Sequence, residues 1–177
     1  MPIYLRIPSL LLVWFLIDGC WRPAPPDPPT SGDVYRPVYA PAADIRTVQT
    51  LPPQPLQKPG KIYSKDQYLF INEVGRGIHI VDNRNPAKPI QMSFVSIPGN
   101  QELAIKDSIL YADNVRDLVA LNIADPATVQ VVKRVENAFP YSSYPLATNV
   151  RFECPDPTRG VIIRWEKAAV DNPECYR

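Results

Sequence analysis

Histidine is almost missing from this chain: His79 is the only one in 177 residues. Hydrolytic triads and zinc sites are generally built around a positioned imidazole, so a single histidine removes most of the usual routes to hydrolytic or metal catalysis. No GxSxG nucleophile motif and no CxxC redox pair occurs either. Net charge is missing too. Nineteen basic against eighteen acidic side chains leave +1, with no Lys/Arg cluster interleaved with aromatics, which argues against a nucleic-acid partner. The apolar run near the N terminus, Ile7 to Ile17 broken only by Pro8 and Ser9, falls well short of the ~20 residues a bilayer-spanning helix takes. No cofactor is expected.

Proline is in excess. The chain carries 22, of which 11 lie between Trp21 and Gly60. Runs such as "WRPAPPDPPTSGDVYRPVYAP" favour extended polyproline geometry and hold too few apolar side chains to fold alone. Residues 20–59 are therefore expected to form a disordered Pro-rich tether, with a short helix over Ala42 to Leu51, where Ile45 and Val48 share a face. The remaining roughly 120 residues suffice for one modest core.

Arg6 and the apolar run fit the start of an export signal, and the run ends in Ile17-Asp18-Gly19-Cys20. This resembles a bacterial lipobox, with a branched residue three positions before the cysteine and a small residue just before it. Asp18 departs from that pattern, in which small or hydroxyl residues are commoner. The resemblance implies a signal peptide over 1–19, a diacylglycerol on the Cys20 thiol, and a chain anchored by acyl groups. The alternative is an ordinary secretory signal. Trp21 follows the cysteine, where many lipoproteins retained at the inner membrane carry aspartate. The expected location is thus the bacterial cell envelope, at the outer membrane.

The folded part repeats. "GKIYSKDQYLFINEVGRGIHIVDNRNPAKPI" from Gly60 aligns with "QELAIKDSILYADNVRDLVALNIADPATVQ" from Gln101 at an offset of 41 residues, which becomes 40 after one deletion in the Gly75–Gly77 turn. Lys65-Asp66 meets Lys106-Asp107, Leu69-Phe70 meets Leu110-Tyr111, and Asn85-Pro86 meets Asp125-Pro126. Each unit reads as four short strands bounded by Gly, Asp, Asn and Pro: about 61–65, 68–72, 77–82 and 90–97, then 102–106, 109–113, 118–123 and 129–135. A period near 40 with four antiparallel strands is the size of a β-propeller blade. "GIHIVD" (77–82) and "DLVALN" (117–122) resemble the LVIVD repeat of bacterial exported proteins. That resemblance implies an extracytoplasmic β module and no reaction. Asn122 stands where the family motif has aspartate, and Ala120 where a larger residue is usual.

The predicted fold is mainly β: two four-stranded, propeller-blade-like repeats (60–100 and 101–140) packed into one domain, followed by a C-terminal segment (141–177). A closed propeller needs at least four blades, so the C-terminal segment and the stretch before Lys61 are expected to cover the exposed edges, giving two packed sheets and a monomer. Tyr144, Phe152 and Trp165 supply apolar surface for that purpose. Cys154 and Cys175 are expected to form a disulfide in an oxidising compartment, contributing about 3 kcal/mol on the chain-entropy model.

Asp82, at the end of a strand and before "NRNP", reads as a turn residue whose carboxylate bonds backbone N–H groups, with Pro86 ending the strand. Asn122 and Pro126 take the same places in the second unit, and an amide oxygen accepts the same bond. Asp113 and Asp117, in "YADNVRD", offer oxygens to a cation, although Arg116 intrudes and the spacing matches no EF-hand loop. His79 reads as a packed or partly exposed imidazole. Two functional classes follow. One is a non-enzymatic envelope lipoprotein whose β module binds a protein or glycan partner; the other is an accessory or catalytic hydrolase-type protein using the acidic 113–117 turn.

Overall fold

A computed structural model of the chain describes residues 33–177. The expected signal peptide, the Cys20 lipidation site and the first part of the tether lie outside the described residues. Within them the chain is mainly β, with three sheets, one 3-10 turn and no α-helix.

Strands β1 (Val34–Ala40) and β2 (Gln49–Leu51) precede the first unit, which forms β3 (Pro59–Lys65), β4 (Tyr68–Glu73), β5 (Gly77–Asp82) and β6 (Ile90–Ser96). The second unit forms β7 (Leu103–Lys106), β8 (Ile109–Asn114), β9 (Asp117–Asn122) and β10 (Gln130–Val135). Each unit is an antiparallel meander, and β2 adds to the outer edge of β6, giving the orders β2-β6-β5-β4-β3 and β10-β9-β8-β7. The strand bounds fall within about two residues of those read from turn residues and alternation.

The same local chemistry builds both meanders. Asp66 and Asp107 both take a φ of 52° in their hairpins, a left-handed conformation that aspartate tolerates better than most residues. After the third strand, the Asp82 carboxylate accepts the Arg84 N–H at 3.0 Å and the Asn122 side-chain oxygen accepts the Ala124 N–H at 2.9 Å. Asn85 and Asp125 then close the next turns by accepting the Ala87 and Ala127 N–H groups at 3.2 and 2.9 Å. Pro86 and Pro126 occupy the first central position of those turns, where a fixed φ near −65° is preset.

Apolar side chains from both meanders meet in one core: Phe70, Ile78, Ile80 and Val95 from the first, Leu110, Val119 and Leu121 from the second. Burying a side chain of this size contributes about 1.5–3 kcal/mol. β5 is buried on both faces. Ile78 and Ile80 face the shared core, while His79 packs on the opposite face against Phe94, with ring centroids 4.7 Å apart. Gly77 opens the strand with a φ of 149°, and a Cβ there would collide with the Val95 carbonyl, so the position requires glycine.

The tether and the edges correct the sequence reading. Residues 42–46 form a turn closed by Asp44 N–H to Pro41 C=O and Thr47 N–H to Asp44 C=O, and no helix forms over Ala42 to Leu51. Two apolar residues on one face cannot outweigh the backbone partners that β6 offers to 49–51. The described residues form three sheets where two were expected. β1, inside the expected tether, pairs antiparallel with β12 (Val161–Lys167) and parallel with β11 (Arg151–Phe152), and β13 (Cys175–Tyr176) lies beyond β11. β11 reaches only Val34 and Tyr35, so the edge beyond is free and Pro37 is tolerated. Cys154 and Cys175 are disulfide-bonded, Cα to Cα 5.2 Å. Phe152, buried, touches Tyr144 and Trp165 edge-on at 6.0 and 5.3 Å.

Candidate functional site

The hairpin between β8 and β9 has only two central residues, Val115 and Arg116, because Asn114 pairs directly with Asp117. Val115 takes a φ of 60°. A positive φ at the first central position alone is the pattern of a hairpin turn that favours glycine there. For a β-branched residue this is an outlier, costing on the order of 1–3 kcal/mol.

The strained residue lies in a crevice. Two hollows of about 510 and 490 Å³ meet at Val115, Tyr141 and Ile162, between this hairpin and the third sheet. The segment following β10 forms one wall. Tyr141 fastens it by accepting the Ile162 N–H at 3.0 Å, and it presents Phe139, Tyr144 and Leu146 with 40%, 52% and 76% of their surface exposed. At the other end Tyr39 accepts the Asp156 N–H at 2.8 Å and lies 4.5 Å under the Arg159 guanidinium. Asp156 caps the 3-10 turn η1 (Pro157–Arg159) by accepting the Thr158 N–H. Arg116 lines the first hollow, is exposed, and has no side-chain partner among the described residues.

Asp113 and Asp117 line different hollows of this crevice. The Asp113 carboxylate accepts the Gln101 and Glu102 N–H groups at 2.9 and 2.8 Å and the Asn100 amide at 2.9 Å. Burial pushes its pKa up, and these donors only partly oppose that. Burial acts on Asp117 as well, but the Asn137 N–H, the Arg134 guanidinium and Arg46 outweigh it and hold the carboxyl below its ordinary value. Arg134 and Arg46 stand 2.9 and 3.2 Å from one Asp117 oxygen. Asp113 thus fastens backbone and the Asn100 amide, Asp117 fastens backbone and two arginines, and neither turns a free set of oxygens to a common point. Among the described residues no group of three or more His, Cys, Asp and Glu side chains is placed to hold a metal ion.

Asp82 and His79 are outside the crevice. Asp82 also receives the Arg84 guanidinium at 2.6 Å, and that pairing, with the Arg84 N–H, lowers its pKa. His79 Nε2 lies 3.1 Å from Glu73. Sequence reasoning passed over Glu73, Phe139, Tyr141 and Val115, and read Tyr144 and Trp165 only as core residues. Only Val115 left a local trace: a Val-Arg dipeptide where a two-residue hairpin usually carries Asn-Gly or Asp-Gly.

No family model, curated protein or solved structure matches the chain.

Proposed function

We propose that the chain is a non-enzymatic, lipid-anchored protein of the bacterial cell envelope, built on two LVIVD-type, blade-like repeats, and that its crevice binds a partner protein. The carrying observation is the coincidence of strain and exposure in one place. Val115, at φ 60°, lines the same hollow as Phe139, Tyr144 and Leu146, three large side chains that stay substantially exposed. Strained backbone concentrates at binding and catalytic sites, and exposed aromatic anchors beside an unpaired arginine are the composition of interface hot spots.

A protein partner is favoured over a glycan by the aliphatic share of the crevice. Leu146 and Val115 offer no hydrogen bonds to sugar hydroxyls, and the phenolic oxygens of Tyr39 and Tyr141 already hold backbone. Without free carboxylates or an imidazole in the crevice, the acidic 113–117 turn supports positioning rather than hydrolysis. The anchor is tested by labelling with radioactive palmitate. Label on the wild-type chain that disappears in Cys20→Ala is expected; an unlabelled wild-type chain overturns it.

A further inference from the structure

β6 and β10 are equivalent outer strands of the two meanders, yet they are finished differently. β6 is covered by β2, paired antiparallel as Gln49 with Ser96, Thr50 with Val95 and Leu51 with Phe94. β10 pairs with β9 on one side, and no strand lies beyond it among the described residues. The register against β9 shifts between Val131 and Lys133, so beyond that bulge the backbone groups of Lys133 to Val135 are a regular template for one more strand.

Val131, Val132 and Val135 keep 41%, 55% and 45% of their surface exposed. Of the two basic residues, Arg134 is spent: its guanidinium bonds Asn114 at 2.7 Å and Asp117 at 2.9 Å. Lys133 is exposed and has no hydrogen bond or ion pair among the described residues. The edge thus offers main-chain pairing, apolar side chains on both faces, and one uncompensated positive charge.

We infer that β10 is a second docking surface, separate from the crevice, which takes an extended segment of a partner protein as an added antiparallel strand. The segment carries β-branched residues with a glutamate or aspartate opposite Lys133. The mode is that of β2 on β6, performed between molecules: backbone hydrogen bonds supply affinity, and alternate side chains supply selectivity. A second copy of this chain fits worse. Antiparallel self-pairing centred on β10 brings the two Lys133 side chains to neighbouring positions, which like charge opposes.

The test uses the full chain with Cys20→Ala and a short synthetic strand alternating glutamate with valine and threonine. Hydrogen exchange and fluorescence anisotropy are the readouts. Saturating peptide is expected to protect the outward-pointing amides of 130–135, those not already bonded to β9, and methylation of alternate peptide nitrogens is expected to abolish binding. Lys133→Glu, a surface change that leaves the fold intact, is expected to weaken binding roughly fivefold and to shift preference to the peptide with lysine in place of glutamate. Leu146→Asp in the crevice leaves this binding unchanged. Unprotected amides at 130–135, or equal binding of the methylated peptide, overturn the inference. Protection of those amides without peptide, in step with a concentration-dependent dimer, assigns the edge to a second copy and overturns the stated occupant.

Discussion

His79 Nε2 lies 3.1 Å from a Glu73 carboxylate oxygen, and both side chains are buried in the first sheet. The same carboxylate accepts the Gln57 and Lys58 N–H groups at 3.0 and 2.5 Å. One acid thus joins β5 to the proline-rich segment that precedes β3.

Burial pushes the Glu73 carboxyl up, but its two backbone donors and His79 outweigh burial, and the net pKa is lowered from the ordinary 4.5. A carboxyl depressed in the folded state adds stability above its unfolded pKa and loses that contribution as pH falls through the folded value. Glu73→Gln is expected to lower stability near neutral pH by about 2 kcal/mol, through weakened hydrogen bonds to a charged acceptor, and to flatten the fall on the acid side. Urea denaturation across the acid range measures both. A variant as stable as the wild type, with the same acid dependence, contradicts this role.

The Cys154–Cys175 bond closes a loop with a sequence separation of 21 and ties β13 to Cys154, two residues beyond the end of β11. Replacing both cysteines by serine is expected to cost about 3 kcal/mol. The loss is expected to concentrate in the third sheet, so hydrogen exchange accelerates at 150–152 and 175–177 before it does in β5. Unchanged exchange in the third sheet contradicts that placement. Mass spectrometry of the non-reduced protein gives the direct check, with no free thiol at either position.

Val115→Gly relieves a positive φ that valine resists. The variant is expected to gain about 1 kcal/mol in stability, the strain relief exceeding the entropy glycine adds to the unfolded chain. Partner binding is expected to fall, because the two hollows lose the side chain at which they meet. A destabilised variant means that the valine packs better than its backbone suffers.

What the sequence disclosed and what it hid follow from the range of the interactions. β5 was legible to the residue, because alternating apolar residues between Gly77 and Asp82 carry strand and boundary together. Asp82 and Asn122 were legible as turn residues because their bonds reach only two residues ahead. β1 was not legible. Its composition is that of a tether, and the groups that make it a strand are Arg151, Phe152 and 161–167, far along the chain. The crevice was hidden for the same reason, since its walls come from the second meander and the third sheet. Asp113 and Asp117 were found as neighbours in sequence, but the fold gives each its own donors and its own hollow.

The central claim is that the crevice engages a partner protein, and a photo-crosslinking residue placed at Tyr144 tests it most directly. The control position is Ile90, 59% exposed and outside the crevice. In envelope fractions, discrete protein adducts are expected from position 144, none from position 90, and loss of the adducts when Leu146→Asp is added. Identical adducts from both positions, or none from position 144, contradict the account.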